Sequence, residues 1–393
     1  MLRIENTTLI NKTKSSSFRG ALIGSGVMAF AGLGDAILYP LLPVYGKDMG
    51  FSVFFIGVLL SINRFVRILS NTWIATIIIR LGMRKVLIIT SILATITTFF
   101  YGLKLGAISF LIARILWGLS YSGLKISTLN YAANAKEKSG LAFGLSKSIQ
   151  TLGTFFVLWF GPVLIAQLGV GNGLITVAFV SSMGIGLAIF LPKNEKKQTE
   201  KVRTSKTFYP STLNLLVFVL SIAIDGILVV VLAQLLGNSY SEPGGLLAVV
   251  AFYLLLKRLF VFSISFLGAY ISLKISPKVL FNVSVVLCAM ALFLIAMGFV
   301  TFGILLAFVF NPIIVTFSPM VAMQQEQTKG NTLQAISSIS TWWDFGAALG
   351  AFMGLFLIET MSSEPLFLLL SVFIIILFIN HIFKNARTNR TAV

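Results

Sequence analysis

Charged residues are scarce in this chain of 393 residues, where they account for only 11% of the sequence. Soluble domains carry about a quarter. Cysteine and histidine occur once each, as Cys288 and His381. The lone cysteine excludes an intrachain disulfide, and these two residues are too small a set of ligands to hold a metal ion. We therefore expect neither a large soluble domain nor a metal ion or other cofactor.

The sequence also lacks the motifs of nucleotide-driven and hydrolytic proteins. It contains no G-x-x-x-x-G-K-[ST] run, so ATP hydrolysis is excluded as an energy source. No nucleophile is placed beside a base, which argues against an enzyme. The polar N-terminus, residues 1–19, has no cleavable-signal pattern before the first apolar run. Any uphill movement of a solute must then draw on an ion gradient or a solute gradient.

The sequence is rich in long apolar runs. Hydrophobic residues make up 57% of the chain, and they fall into blocks long enough to cross a bilayer, which takes about 20 residues of helix. The blocks do not alternate as barrel strands do. We predict an all-α membrane protein with twelve transmembrane helices, here called spans 1 to 12. They cover residues 20–44, 53–73, 86–103, 107–131, 140–166, 172–191, 213–236, 245–270, 279–299, 302–323, 333–358 and 365–383.

Lysine and arginine are distributed unevenly between the loops on the two sides of the predicted membrane. One side collects twenty-one of them, and the other has only Lys47 and Lys104. By the positive-inside rule, both termini lie in the cytoplasm. The net charge of +18 therefore reflects membrane topology and does not indicate nucleic-acid binding. The predicted organisation is a cytoplasmic segment 1–19, a six-helix bundle 20–191, a basic cytoplasmic linker 192–212, a second bundle 213–383 and a cytoplasmic tail 384–393.

The two halves carry matching residues in the same order. At an offset of 190 residues, Asp35 in span 1 falls on Asp225 in span 7. At an offset of 193 residues, Arg64 in span 2 falls on Lys257 in span 8. Each match is weak by itself, but together they predict two homologous, pseudo-symmetric bundles.

The turn between spans 2 and 3 carries a basic motif. Residues 75–85 read ATIIIRLGMRK. This stretch is similar to the signature G-x-L-A-D-R-x-G-R-R of the major facilitator superfamily, and its matching positions are Arg80, Gly82, Arg84 and Lys85. With six plus six spans and a basic central linker, the chain resembles this superfamily of secondary transporters over nearly its whole length.

The resemblance has consequences for fold and gating. It implies two bundles around a central cavity that opens to each side of the membrane in turn. It also implies a gating role for the basic turn, to which Arg67 belongs as a residue slightly deeper in span 2. Ile79 stands where the family has an aspartate that helps to latch the cytoplasmic side. We therefore expect this latch to be weakened or rebuilt here.

Ten ionisable residues lie inside the predicted spans, where each costs about 3 kcal/mol on insertion scales. Such residues must face a partner, a water-filled cavity or the interior of a bundle. Seven are basic and three are acidic, which leaves the spans with a net positive charge. They are Arg64, Arg67, Arg114, Lys125, Lys147, Lys257, Arg258, Asp35, Asp225 and Asp344.

These residues and two neighbours are assigned roles in transport. A cationic cavity favours an anion, and arginine makes paired contacts with carboxylate or phosphate. The predicted substrate-binding residues are Arg64, Arg114, Lys147, Gln150, Lys257 and Trp343. The predicted proton carriers are Asp35, Asp225 and Asp344. Burial raises the pKa of a carboxyl group and a nearby cation lowers it, so such a group can gain or lose a proton as its surroundings change. Static ion pairs that tie span 1 or 7 to span 2 or 8 are the alternative for the aspartates. For Lys125 and Lys147, the alternative is snorkelling to the cytoplasm.

The pattern as a whole predicts a secondary active transporter that moves a small organic anion by alternating access, coupled to protons. The anion would be a carboxylate metabolite, a carboxylate siderophore or an organophosphate. The expected setting is the bacterial inner (cytoplasmic) membrane, with protons and lipids as further partners, no nucleic acid, and a monomeric state. A multidrug or other small-solute exporter of the same superfamily is the first alternative, and a scaffold without transport is the second. Import versus export stays open.

Overall fold

The structure, a computed structural model, describes residues 2–46, 48–103, 105–192, 210–237, 243–326 and 332–390. Every regular element within these ranges is helical, which confirms the all-α class. Lys47, Lys104 and residues 193–209 of the basic linker lie outside the described residues. The α-helices are α1 (Leu2–Ala31), α2 (Leu33–Tyr45), α3 (Val53–Leu81), α4 (Met83–Gly102), α5 (Ala107–Ala133), α6 (Ser139–Ile189), α7 (Thr212–Leu220), α8 (Leu228–Val230), α9 (Leu232–Gly237), α10 (Pro243–Ile271), α11 (Pro277–Ala296), α12 (Val300–Glu326), α13 (Thr332–Thr360) and α14 (Ser363–Arg390).

The described helices account for the predicted spans. Ten helical segments are long and apolar enough to cross a membrane, and the bent pair α1 and α2 makes an eleventh. Helix α13 covers the remaining predicted span, 333–358. Spans 5 and 6 form a single helical run, α6, which is interrupted at Gly169 with φ 75° and ψ 165°. Glycine adopts such a positive φ without the steric cost that a Cβ would bring, so one residue makes the turn between two spans.

Serine caps help to begin two of the helices. Ser52 Oγ accepts a hydrogen bond from the Phe55 N–H at 3.2 Å, just before α3. Ser211 Oγ accepts one from the Asn214 N–H at 3.1 Å, just before α7. Each bond satisfies one of the N–H groups that have no partner inside the first turn of a helix.

The chain divides into two compact units. The first is Met1–Val202 together with Gln325–Ser337, and the second is Arg203–Gln324 together with Ser338–Val393. In the first unit, α1 packs along α6, and α4 packs against both α5 and α6. In the second unit, α11 packs along α14.

Glycines let the helices of each unit approach closely at equivalent places. In the first unit, a Cβ added to Gly161 of α6 would collide with the side chain of Ile37 in α2. In the second unit, a Cβ added to Gly354 of α13 would lie 3.2 Å from the Cα of Ile227. Ile37 and Ile227 are separated by the same 190 residues that relate Asp35 to Asp225. The repeat read from the sequence is therefore accompanied by a repeat in helix packing.

Large apolar side chains cover much of the outer surface. Phe54 of α3 and Phe352 of α13 are 83% and 80% exposed, and Leu69 and Ile108 are exposed to a similar degree. A soluble monomer rarely exposes apolar patches larger than a few hundred Å². Lipid chains cover such a surface without the free-energy cost that water would impose, so this surface fits a protein that spans a bilayer.

Two helices are irregular where the sequence places its matched aspartates. The axes of α1 and α2 differ by 45° across a break at Gly32, and Asp35 lies in the first turn of α2. Between α7 and α8, residues Ser221–Ile227 form a π-helical turn that contains Asp225. Single π turns inside α-helices occur frequently at functional sites. Both irregularities therefore direct attention to the two carboxylates.

Candidate functional site

Asp35 is the centre of a polar cluster in the first unit. Its Oδ1 forms an ion pair with Nη1 of Arg114 from α5. The same oxygen accepts a hydrogen bond from Nδ2 of Asn63 in α3 at 3.1 Å. The Arg114 side chain is fully buried, and 17% of the Asp35 side chain is exposed. We call Asp35, Asn63 and Arg114 the first cluster.

Arg114 is held from more than one direction. Besides its ion pair, its Nε donates to the carbonyl oxygen of Leu59 at 2.7 Å, which ties α5 to the backbone of α3. The rigid, planar guanidinium directs its donors along fixed lines. Tyr101 and Trp117, both buried, are among the large side chains of this core. The arginine therefore cannot move away from Asp35 without also leaving Leu59.

Asp225 is the centre of a similar cluster in the second unit. Its Oδ1 accepts from Nζ of Lys257 in α10 at 2.7 Å and from Nδ2 of Asn311 in α12 at 3.1 Å. Its Oδ2 accepts from Nε1 of Trp343 in α13 at 3.1 Å. The Lys257 ammonium also lies 5.3 Å from the centre of the Phe308 ring. We call Asp225, Lys257, Asn311 and Trp343 the second cluster.

Both clusters contain a carboxylate, an amide and a cation. The helices that supply the amide and the cation are interchanged between the two halves. In the first half, the amide comes from the second span and the cation from the fourth. In the second half, the cation comes from the second span and the amide from the fourth. The aspartate stays on the first span of each half. A carboxylate with an amide and a cation is therefore the shared arrangement, while arginine and lysine differ in how firmly they are held.

The sequence located the aspartates and cations of these clusters but not all their partners. An ion pair between spans 7 and 8 is one of the bridges expected as an alternative, and Asp225 and Lys257 form it. Asp35 instead pairs with Arg114 in span 4, not with a cation in span 2. Asn63 was missed, and no role in a cluster was predicted for Asn311. An asparagine inside an apolar span is the signal that could have revealed both, because a buried amide needs a hydrogen-bond partner.

The other predicted binding and coupling residues lie outside the contacts just described. Arg64 is half-buried in α3, and the described residues give it neither an ion pair nor a hydrogen bond. Lys147 and Gln150 are half-buried in α6, and the carbonyl oxygen of Lys147 accepts from Thr151 Oγ1 at 2.9 Å. Asp344 is buried in α13 beside Trp343. Of the nine predicted binding and coupling residues, the structure brings five into the two clusters.

Of the predicted gating residues, Arg67 lies in the middle of α3, and the others lie at the turn from α3 to α4. The Arg67 guanidinium lies 4.6 Å from the centre of the Tyr121 ring, which joins α3 to α5 by a cation–π contact. Arg84 Nη2 donates to the carbonyl oxygen of Ile189 at 3.0 Å, where α6 ends. Arg80 and Lys85 are exposed. Position 79 holds isoleucine and not an aspartate. Arg84 lies at the C-terminal end of α6, where a positive charge interacts favourably with the helix dipole.

Gly82 joins α3 to α4 with φ 86° and ψ 153°, a backbone conformation that L side chains rarely adopt. Replacing Gly82 by Ala should therefore destabilise the protein by about 1–3 kcal/mol. Thermal unfolding of the detergent-solubilised protein measures the loss. Gly186→Ala is the matched control, because Gly186 lies within α6 and a Cβ there would have no atom within 4 Å. Equal melting temperatures for the two variants would contradict the strain argument.

A model of the family described as the Major Facilitator Superfamily matches residues 25–328. The chain belongs to the major facilitator superfamily. As a member, it is a multi-pass membrane transporter and not an enzyme. The matched range includes Asp35, Asn63, Arg114 and Lys257.

Solved structures of other transporters in the superfamily have the same fold. The E. coli fucose:proton symporter FucP aligns with a TM-score of 0.74 and 13% identity, covering 94% of this chain and 99% of that one. The human organic anion transporter MFSD10 (TETRAN) gives 0.69 and 14%, with 94% and 99% covered. The proton:xylose symporter XylE gives 0.71 and 12%, with 94% and 95% covered. No match is found among curated protein sequences. At these identities, the likeness shows the fold alone.

Proposed function

We propose that this protein is a secondary active transporter that moves a small organic anion, with protons as the coupling ion. The solute class is a carboxylate metabolite, a carboxylate siderophore or an organophosphate. The setting that fits the loop charges is a bacterial cytoplasmic membrane with both termini inside the cell. The protein works as a monomer by alternating access, with the basic turn between α3 and α4 in a gating role.

The observation that carries this proposal is the uneven distribution of charge between the two halves. The spans of the first half contain five basic residues and a single acid, Asp35, whereas those of the second half contain two of each sign. The net positive charge of the spans therefore comes entirely from the first half. A net positive charge inside the spans is costly, and a bound anion relieves that cost. The basic residues are Arg64, Arg67, Arg114, Lys125 and Lys147.

Within this surplus, Arg64 and Lys147 are the strongest candidates for direct contact with the anion. Arg114 already donates to Asp35 and to the Leu59 carbonyl, so it is held by partners within the first unit. Arg64 is half-buried on the helix that also supplies Asn63. Lys147 and Gln150 share a face of α6, three residues apart. The names of two structural neighbours agree in part, since MFSD10 is described as an organic anion transporter and FucP as a proton symporter.

A second candidate function is the export of a lipophilic solute, which one aromatic cluster favours. In the second unit, the ring centres of Phe218 and Trp342 lie 5.5 Å apart, and those of Phe218 and Phe345 lie 5.2 Å apart. Phe345 is 36% exposed. Such rings can stack on a flat apolar ligand, as a multidrug exporter requires. The charge distribution favours the anion, and the experiment below separates the two.

The test is solute uptake by the purified protein in liposomes, with and without a proton gradient. The probes are citrate and glycerol phosphate as anions, xylose as a neutral solute, and tetraphenylphosphonium as a lipophilic cation. We expect gradient-dependent movement of an anion. Arg64→Gln and Lys147→Gln should each lower its initial rate about ten- to a hundredfold, because a hydrogen bond to a charged group contributes about 1.5–3 kcal/mol.

Arg258→Gln is the matched control for these two variants. It removes an equal charge from a span, but from an exposed position in α10, so its rate should equal that of the wild type. Undiminished anion movement in both Arg64→Gln and Lys147→Gln would refute their assignment. Movement of tetraphenylphosphonium alone would overturn the anion proposal in favour of the second candidate.

A further inference from the structure

We propose that the two clusters have different roles: Asp225 exchanges a proton and releases Lys257, while Asp35 and Arg114 remain a fixed tie between helices. The first part of this inference rests on the proton-coupled anion transport proposed above, and it assigns the coupling step to one of the three candidate aspartates. The carboxylate of Asp225 takes its proton from water. Lys257 keeps its own proton throughout and leaves as an ammonium ion.

The cations of the two clusters differ in how they are held. Arg114 is fully buried and donates in two directions, to Asp35 and to the Leu59 carbonyl. Lys257 has one directed bond, to Asp225, and its side chain is 16% exposed. Its four-carbon stem is flexible, and an ammonium ion has no fixed plane of donors. Loss of the carboxylate charge therefore weakens the one directed bond that holds Lys257, whereas Arg114 would keep its bond to the Leu59 carbonyl.

The Phe308 ring supports the lysine after it separates from the carboxylate. The ammonium already lies 5.3 Å from the centre of this ring. A cation–π contact contributes about 0.5–1 kcal/mol at exposed sites and more when desolvated. Lys257 thus keeps part of its stabilisation while its charge becomes available to an anionic group.

The remaining partners of Asp225 can accommodate a protonated acid. The amide oxygen of Asn311 is buried and has no hydrogen-bond partner. A rotation of the amide by half a turn presents this oxygen to the new O–H group, so the same residue serves both protonation states. Trp343 Nε1 can continue to donate to Oδ2. Asn63 has the same unused oxygen beside Asp35, so the amide does not distinguish the two clusters.

The backbone around Asp225 also differs from that around Asp35. Asp225 belongs to the π-helical turn Ser221–Ile227, whereas Asp35 lies in the first turn of α2, just after the bend at Gly32. Next to it, Gly226 packs directly on Gly350 of α13, with a Cβ position only 2.5 Å from that Cα. The π-helical turn that holds Asp225 is therefore in direct contact with the helix that carries Trp343.

The groups that face Asp225 in the described part of the second unit come from several helices. Lys257 faces it from α10, and the Cys288 thiol of α11 lies within its electrostatic range. Asp344 follows Trp343 on α13 and is buried. From α12, the neutral amide of Asn311 faces it. Lys257 forms the ion pair with Asp225, and the release is assigned to it.

Thermodynamic linkage then couples the protonation of Asp225 to the binding of the proposed anion. If an anion binds the released ammonium of Lys257, it favours the protonated state of Asp225, and the proton favours anion binding by the same factor. Asp35 takes no part in this exchange, because its cation does not leave.

Trp343 provides a test that needs no solute. Its indole donates to Asp225, so its emission should change when the carboxylate gains a proton. The full-length protein in nanodiscs is titrated from about pH 5 to about pH 9. The signal assigned to this site is the difference between the wild type and Trp343→Phe, since the chain has five tryptophans.

We expect a titrating difference signal in the wild type and its loss in Asp225→Asn. In Lys257→Gln the midpoint should move, because the cation beside the carboxylate is gone, and in Arg258→Gln it should not. The double variant Asp35→Asn with Arg114→Gln removes both charges of the first cluster and should keep the wild-type midpoint. A signal that persists in Asp225→Asn, or that disappears in the double variant while the protein still melts cooperatively, would overturn the proposal.

Adding citrate or glycerol phosphate separates this inference from the proposed function. Under the linkage, an anion that binds should move the midpoint in the wild type and have no effect in Lys257→Gln. If neither anion moves it but the variants behave as expected, the assignment of Asp225 stands and the choice of solute fails. If an anion is transported but Asp225→Asn keeps the titration, transport stands and this inference fails.

Discussion

Replacing Asp35 by Asn should sharply lower the stability of the protein, because it leaves the Arg114 guanidinium buried without its carboxylate. The Arg114 side chain is fully buried, so water cannot replace the lost partner. Removing one member of a buried ion pair costs about 3–5 kcal/mol. The loss is measured as the change in melting temperature in detergent and as the amount of protein that reaches the membrane.

The double variant Asp35→Asn with Arg114→Gln is the informative control. It removes the buried charge as well as its partner, and should recover much of the stability, because two neutral amides can hydrogen-bond to each other. Arg258→Gln should melt like the wild type, since that side chain is exposed. If Asp35→Asn melts at the wild-type temperature, the first cluster is not the structural tie described here.

Gly350→Ala should cost about 1–3 kcal/mol by overpacking the contact between α13 and the π-helical turn. A Cβ at Gly350 would collide with the carbonyl oxygen of Ile222 and lie 3.0 Å from the Cα of Gly226. Both obstacles are backbone atoms, which cannot rotate away, so the helices must separate. Because Trp343 and Asp225 belong to these two elements, their hydrogen bond should lengthen as well.

Two measurements check this result. Thermal unfolding gives the loss of stability, and the pH-dependent emission of Trp343 reports on the hydrogen bond to Asp225. Gly186→Ala, which adds a methyl group where no atom lies within 4 Å, should change neither. Wild-type behaviour of Gly350→Ala in both measurements would mean that the helix crossing is looser than the structure indicates.

The superfamily fold tolerates very different sequences, and this chain shows why. The structural neighbours share only 12–14% of their residues with it, yet apolar length and small residues at helix crossings suffice to specify similar bundles. The clusters around Asp35 and Asp225 are instead specific choices of polar groups. They can therefore diverge while the helices keep their order.

Much of the fold was predictable because it depends on local properties of the sequence. The length of each apolar run specifies a spanning helix, since every backbone N–H and C=O group must find its partner inside the segment in lipid. The same reasoning placed Asp35, Asp225, Arg114 and Lys257 inside the membrane. An ionisable residue in an apolar run is visible without any structure.

The partners within the clusters could not be predicted in the same way. Arg114 lies 79 positions from Asp35, and Asn311 lies 86 positions from Asp225. Such contacts depend on the crossing of separate helices, which the spacing along one helix does not encode. The offset between the halves even suggested the wrong analogy, because it aligned Arg64 with Lys257, whereas the cation that faces Asp35 is Arg114.

The sequence by itself determined the all-α class, the approximate spans and the positions of the membrane charges, since these follow from hydropathy and from the cost of burying a charge. Only the tertiary structure decided which cation meets which aspartate, and that Asn63, Asn311 and Trp343 complete the two clusters. It also decided that Asp225 belongs to a π-helical turn. The physical reason is that packing between distant helices, and not the local sequence, selects the partner of a buried polar group.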